Sequence, residues 1–239
     1  MLEHAGAGVL RCPLLTVSPT PNTRSFLSLM EDIDSFDLLL FNSPNAANLG
    51  LPRIESHCSS LPGRMKIAAI GAKTAHTITD LGYQVDICPA AGFDSESLLK
   101  LPILQNVSGM KIAILRGAGG RDLSGSVLRA RGAEVVYIQV YERLPPTKEE
   151  FGRIEQALLH NRFDVVALTS GEAFLALWGG VGAEAQRLLN QATFLFGSRR
   201  IAAIAQTQGL QAPIEIADDP SDEAMFLALT AWAERPPNG

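Results

Sequence analysis

The sequence predicts an α/β fold built as two parallel-sheet lobes, and three features predict it. Short apolar runs alternate with amphipathic segments through all 239 residues, the pattern of parallel strands covered by helices. Several segments recur about half a chain apart. Two extended stretches ending in proline, 12–19 and 138–146, mark where the chain crosses between the halves.

Taken in order, the candidate strands are 9–17, 36–41, 66–70, 84–88, 111–116, 134–141, 163–168, 193–196 and 213–216. The candidate helices are 44–50, 72–81, 95–101, 121–131, 147–160, 171–178, 183–191, 198–208 and 221–233. Residues 111–143 form the clearest unit. Ile112–Leu115 is an apolar run that meets a turn with Gly117, Gly119 and Gly120. Leu123, Val127 and Leu128 then share one helical face, Gly132 stops the helix, and Val135, Val136, Ile138 and Val140 lead to Tyr141. This is a βαβ unit. Its Gly-rich turn sits at a helix N-terminus, where backbone N–H groups favour an anion, and Arg116 and Arg121 bracket it.

The repeat fixes the organisation. LLLFNSPNA matches VVALTSGEA with Ser43 on Ser170, a shift of 170 − 43 = 127. IAAIGAKTA matches FLFGSRRIA with Gly71 on Gly197, and DSESLL matches SDEAMF, each with a shift of 126. The same shift places Gly132 on Gly6 and leaves residues 111–126 without a first copy. The expected division is a discontinuous lobe from 1–11 and 147–239, a lobe from 30–135, and linkers at 12–29 and 136–146. A cleft between two such lobes is the default ligand site.

Charge narrows the partners. A formal net charge of −5 argues against broad phosphate neutralisation, so no nucleic-acid partner is expected. The isolated Cys12, Cys58 and Cys88 suggest a reducing compartment without a disulfide frame. His4, His57, His76 and His160 share no ligand spacing, so no metal is expected. No run approaches the ~18 apolar residues of a membrane span. The segment MLEHAGAGVLRCP lacks the long apolar region of a secretory signal. The expectation is a cytoplasmic protein with no membrane partner.

Motif tests narrow the turn. RGAGGR is not GxGxxG, because the sixth position from Gly117 is Asp122, and no Lys-Ser or Lys-Thr follows as in a P-loop. GxSxG, HExxH and the kinase set are absent. A nucleotide phosphate is therefore not the expected ligand of the turn.

Together, FNSPNAA, LTSGEA, IGAKTA followed by a helix and LGYQVDICP, LRGAGGRDLSGSVLRARGAEVVYIQVYER, and FGSRRIAAIAQTQGL with IADDPSDEAMFLAL resemble the uroporphyrinogen-III synthase family across residues 5–232. Their order and spacing carry the resemblance. It implies two Rossmann/flavodoxin-like lobes, joined by a two-stranded linker, with the ligand cleft between them. It also implies a cofactor-independent hydro-lyase of haem (porphyrin) biosynthesis. The substrate would be hydroxymethylbilane, a carboxylate-rich linear tetrapyrrole, cyclised to uroporphyrinogen III with loss of water and inversion of ring D. A monomer is implied, with a transient contact to the preceding pathway enzyme. A non-catalytic two-lobed protein that binds an anionic small molecule, and an inactive truncated synthase, are the alternatives.

The resemblance also nominates residues. Tyr141 matches a family tyrosine and either donates a hydrogen bond to the leaving hydroxyl or packs as an amphipathic hinge residue. Ser43 and Ser170 follow strands and either cap a substrate carboxylate or serve as plain N-caps. Thr74 matches a threonine at a helix start, with the same two roles. Its repeat counterpart departs: SRR sets Ser198 and Arg199 before Arg200, where many members carry threonine, and guanidinium groups suit carboxylates. Arg116, Gly117 and Arg121 become a carboxylate cradle, or else solvated loop charges. The family's first strand has no match here, so the first lobe is expected to lack a central strand and to gain stability from an upstream extension.

Overall fold

A computed structural model describes residues 1–58, 61–90, 94–119, 122–160 and 163–235. The chain divides into two compact units, Val17–Leu144 and Met1–Thr16 with Pro145–Gly239. The strands are β1 (Thr16–Pro19), β2 (Leu38–Phe41), β3 (Lys66–Ala69), β4 (Lys111–Gly117), β5 (Glu134–Leu144), β6 (Val165–Leu168), β7 (Thr193–Phe196) and β8 (Ile214–Ile216). The helices are α1 (Arg24–Glu31), α2 (Pro44–Glu55), α3 (Ala72–Asp80), α4 (Ser95–Leu99), α5 (Leu123–Ala130), α6 (Lys148–His160), α7 (Gly171–Gly180), α8 (Ala183–Leu189), α9 (Arg199–Thr207) and α10 (Asp222–Ala233).

Unit Val17–Leu144 holds a five-stranded sheet in the order β1-β5-β4-β2-β3. The β5–β4, β4–β2 and β2–β3 ladders are parallel. Side chains alternate across a strand, so each apolar run serves both faces of the sheet. Leu39, Phe41, Ala113 and Leu115 enter one core cluster, with Phe26 and Leu29 of α1, Ala46, Leu51 and Ile54 of α2, and Ile78 of α3. Leu38, Leu40, Ile112 and Ile114 enter the opposite cluster with Leu98 of α4 and Leu128 of α5. Every residue of β2 has 0% exposure. Gly50 lets α2 lie close to the sheet, since a Cβ there would stand 2.7 Å from the Leu115 side chain.

The other unit carries a parallel three-stranded sheet, β6-β7-β8. One of its faces holds a cluster built on Phe174, Phe194 and Phe196, with Ile154 and Leu158 of α6, Ala185 and Leu189 of α8, and Ile201 of α9. Phe174 meets Phe194 and Phe196 edge-on at 6.1 and 5.9 Å between centroids. Helix α10 is as apolar in sequence (DEAMFLALTAWA) yet has no buried residue.

The structure corrects several expected elements. No strand spans 9–17: residues 7–15 have no regular structure, and β1 begins only at Thr16. An extended segment needs a ladder partner for its backbone groups, and only residues beside β5 have one. Thr20 N–H and Oγ1–H donate there to the carbonyls of Val140 and Gln139 at 3.2 and 3.0 Å. The stretch 84–88 shrinks to a single bridge, Ala68 to Ile87. Strand β5 runs on to Leu144, and the stretches 12–29 and 136–146 hold β1, most of α1 and most of β5. Helix α1 had no counterpart among the candidates; it starts where the Thr23 hydroxyl accepts from Phe26 N–H at 3.2 Å. Helix α2 outruns 44–50 and carries Pro52 inside it.

Candidate functional site

Carboxyl ends of parallel strands are where ligands of such sheets bind. In unit Val17–Leu144, the ends of β2, β4 and β5 bring a polar cluster together. After β2 the chain turns at Asn42 and Ser43 into α2. Ser43 is extended (φ −169°), and its hydroxyl accepts from Ala46 N–H at 3.1 Å, capping α2 with Pro44 in the first turn. The same hydroxyl lies 3.1 Å from the phenol oxygen of Tyr141.

Tyr141 reaches Ser43 because β5 is irregular. The β4–β5 register pairs Arg116 with Gln139 but Gly117 with Tyr141, so one extra residue, Val140, bulges out of the ladder. Strict alternation would send Tyr141 to the face opposite Val140. With the bulge, Ile138, Val140 and Tyr141 all enter the same core cluster. The ring then lies over Gly117, where a Cβ would fall 2.5 Å from a ring carbon. Any side chain at position 117 displaces the phenol. The ring is 3% exposed, so packing is one established role of this residue.

Arg143 completes the cluster. Its Nη2 donates to the phenol oxygen at 3.4 Å, and its guanidinium carbon stands 5.7 Å from the ring centroid. A guanidinium only donates, so the phenol accepts from Arg143 and keeps its own hydrogen for Ser43 or another acceptor. Next to Ser43, the Oδ1 of Asn42 is buried without a hydrogen-bond partner, a cost of about 1–3 kcal/mol that native proteins rarely leave without a use.

Arg116 borders a second feature, a cavity of about 350 Å³ with Thr23, Ser25, Gly119, Tyr137 and Gln139 around it. Its guanidinium stacks 4.9 Å from the Tyr137 centroid and donates to the carbonyls of Gly117 and Gly119. The expected cradle is thus partly a clamp on its own turn. Arg121 lies outside the described residues.

The remaining candidates stand apart. Thr74 sits within α3 and is 2% exposed, a packed position. Ser170 caps α7 by accepting from Ala173 N–H at 3.0 Å. Ser198 precedes α9 in an extended conformation with no side-chain cap bond. It lines a cavity of about 420 Å³ with Arg199, Ile216, Ala217 and Asp218. Arg200 is exposed and does not line that cavity. Another cavity of about 420 Å³, beside Phe163, Asp164 and Ala192, lies at the amino ends of β6 and β7, the wrong end for chemistry.

Arg143, Asn42, Thr23 and Gln139 were not foreseen. Ending the expected strand at Tyr141 hid Arg143, although a charged residue two positions on in a β-rich run is a usable signal. Burial pushes the thiols of Cys12, Cys58 and Cys88 up, Asp34 adding to the effect at Cys58, so all three are poor nucleophiles at neutral pH. Among the described residues, no group of three or more His, Cys, Asp or Glu could hold a metal ion. No described helix is long and apolar enough to cross a membrane.

Comparison with known proteins settles the family. The profile described as uroporphyrinogen-III synthase HemD matches residues 1–226. The chain belongs to the uroporphyrinogen-III synthase family. It is 31% identical over 231 residues to uroporphyrinogen-III synthase of Escherichia coli, covering 95% of this chain and 92% of that one. The Salmonella typhimurium uroporphyrinogen-III synthase is 34% identical over 200 residues, with 81% and 78% covered. In fold, the chain matches uroporphyrinogen III synthase from Thermus thermophilus with a TM-score of 0.62 at 20% identity, covering 97% and 90% of the two chains. The Helicobacter pylori uroporphyrinogen-III synthetase gives 0.62 at 20% identity, with 91% of each chain covered. Activity follows from membership: uroporphyrinogen-III synthesis, a hydro-lyase reaction of tetrapyrrole biosynthesis.

Proposed function

We propose that the Ser43–Tyr141–Arg143 cluster assists ring closure of hydroxymethylbilane. The pyrrole nitrogen next to the hydroxymethyl group pushes its electron pair toward that carbon, the C–O bond breaks, and water leaves after taking a proton. The azafulvene left behind is attacked by the substituted carbon of the last pyrrole. A spiro intermediate forms, then opens and closes again with that ring inverted. Tyr141 donates the hydrogen bond that eases the hydroxyl away, Arg143 holds the phenol oxygen as an acceptor, and Ser43 sets the ring's angle. Positioning carries more of the rate than strong acid–base groups. Arg116 and Arg121 at the β4 turn, and Ser170, Ser198 and Arg200 in the other unit, serve as carboxylate contacts, while Thr74 holds α3 in place.

The observation that carries this reading is the β5 bulge, which turns one phenol onto the strand-end serine and the guanidinium together. No cofactor takes part. A monomer in the cytoplasm, with Rossmann/flavodoxin-like lobes and a transient contact to the enzyme that supplies its unstable substrate, belongs to the same reading. The test supplies freshly made hydroxymethylbilane and resolves the products. Spontaneous closure gives the type I isomer, so type III from the wild-type chain is the expected result, and type I alone sinks the proposal. Tyr141→Phe is expected to slow type III formation strongly; full activity removes the phenol from the chemistry.

A further inference from the structure

The bulge that places Tyr141 has to be held, because β5 could also run straight along β4. Along a regular strand successive carbonyls turn to opposite neighbours. In β5 two in a row turn the same way. Thr20 donates its hydroxyl to the Gln139 carbonyl at 3.0 Å and its N–H to the Val140 carbonyl at 3.2 Å. The next carbonyl, that of Tyr141, faces β4 and accepts from Ala118 N–H at 2.8 Å. Straightening the strand would pair Val140 with Gly117, turn the Val140 carbonyl toward β4, and send the Tyr141 ring to the other face of the sheet.

A second donor reaches the Val140 carbonyl. Arg53, near the end of α2, donates from Nη1 at 3.3 Å. Gly50 lies one turn earlier on the same face of that helix, and a Cβ there would stand 3.7 Å from a Val140 methyl carbon. Helix α2 therefore comes down on Val140 through a glycine and takes its carbonyl one turn later. The guanidinium is itself held in place. Its Nη2 donates to Asn22 Oδ1, and its carbon stands 4.4 Å from the centroid of the Phe26 ring, which is fully buried. A planar fork that stacks on a ring and serves two acceptors is a task for arginine and not for lysine. At the other end of α2, the Ser43 hydroxyl caps the helix and meets the Tyr141 phenol at 3.1 Å. One helix thus grips β5 at consecutive residues, 140 by its carbonyl and 141 by its hydroxyl.

We propose, on the reading that this phenol assists departure of the hydroxyl, that Arg53 is a positioning residue for ring closure. Its hold on the Val140 carbonyl keeps β5 in the bulged register that sets the Tyr141 phenol against Ser43. A charged donor makes a stronger bond than a backbone N–H. Arg53 is half-buried, so straightening β5 would take an acceptor from a cation that water reaches only in part. Arg53 acts through Tyr141 and not on the substrate.

Arg53→Met tests this, since it keeps an aliphatic stem over Phe26 and removes the fork. Two readouts are taken on the full chain. One is the nuclear Overhauser contact between the Tyr141 ring, assigned by its loss in Tyr141→Phe, and the Gly117 α-hydrogens, which the ring overlies. The other is type III formation from freshly made hydroxymethylbilane. In Arg53→Met the ring contact is expected to disappear and kcat to fall about tenfold or more, the scale of a misplaced group. KM is expected to change by less than about twofold. Arg53→Met combined with Tyr141→Phe is expected to be no slower than Tyr141→Phe alone. An intact ring contact in Arg53→Met overturns the proposal whether or not kcat falls, as does a further loss of similar size in the double variant. A lost contact with unchanged kcat upholds the hold of Arg53 on the ring and removes the phenol from the chemistry, as a fully active Tyr141→Phe would. If Arg53→Met does not fold, Asn22→Ala decides, because it removes only an exposed partner that steadies the guanidinium. A weakened ring contact there supports the proposal, and an unchanged one overturns it.

Discussion

Two sheets of the same ancestry-like pattern sit in one chain, and they differ in what one strand contributes. In the five-stranded sheet, β4 lies between β5 and β2, and both faces close into separate cores. In the three-stranded sheet the equivalent neighbour of β6 is absent among the described residues, and only one face gathers a core. Identical helix starts and strand ends appear on both sides, as Ser43 and Ser170 demonstrate. Local sequence thus builds the elements, while burial depends on whether each strand has two neighbours.

The sharpest way to break this comparison is truncation at equivalent positions. Leu39→Ala in β2 is expected to cost about 2–5 kcal/mol, as a buried leucine does. Its equivalent, Val166→Ala, sits half-buried in β6 and is expected to cost under about 1.5 kcal/mol. Chemical denaturation of both variants checks the difference; equal losses would mean that β6 is as well covered as β2. Next in size is Gly117→Ala. The new methyl meets the Tyr141 ring, so a loss of about 1–3 kcal/mol is expected from overpacking, together with slower type III synthesis. Stability loss with unchanged product formation would separate ring placement from chemistry.

Smaller effects compare the two serine caps. Ser43→Ala and Ser170→Ala each remove an N-cap worth roughly 1 kcal/mol. Only the first also removes the contact to Tyr141, so it is expected to lower kcat for type III formation, whereas the second, a substrate contact, is expected to raise KM. The smallest effect is electrostatic and confined to the five-stranded unit. Hydrogen bonds from Lys111 and then Ser35 hold the Asp32 carboxyl below its ordinary value. A carboxyl depressed in the folded state stabilises above its unfolded value, and that contribution fades as pH falls through the folded one. Acid titration of unfolding is expected to flatten slightly in Asp32→Asn, and an unchanged curve would show the pair to be fully screened.

Much of the fold was legible because apolar runs and glycine stops are local signals. The cores of β2, β4 and β7, and helices α3, α5, α6, α7, α9 and α10, lie close to where periodicity placed them. Strand 9–17 was misread because Val9, Leu10 and Leu14 look like a strand, while pairing depends on a neighbour that no local pattern reveals. Helix α1 was missed although Phe26, Leu29 and Met30 share one face, because its 8 residues make few turns in which to display a period. At the site, Ser43, Gly117 and Tyr141 were nominated one by one, and the structure brings those three together. What joined them, the bulge at Val140, leaves no mark in composition, since valine is an ordinary strand residue. Thr74 was nominated either for its hydroxyl or as a helix-start cap, and it is buried in the first turn of α3.

That bulge constrains how this protein can vary. Val140 matters less for its side chain than for standing outside the ladder. Exchanging it for isoleucine leaves the bulge in place, whereas a straightened β5 that paired Val140 with Gly117 would turn Tyr141 to the far face, away from Ser43. Removing the residue outright leaves Tyr141 next to Gln139 and still on the side of Ile138, so homologous chains are expected to carry either the extra residue or a one-residue gap at this point of β5.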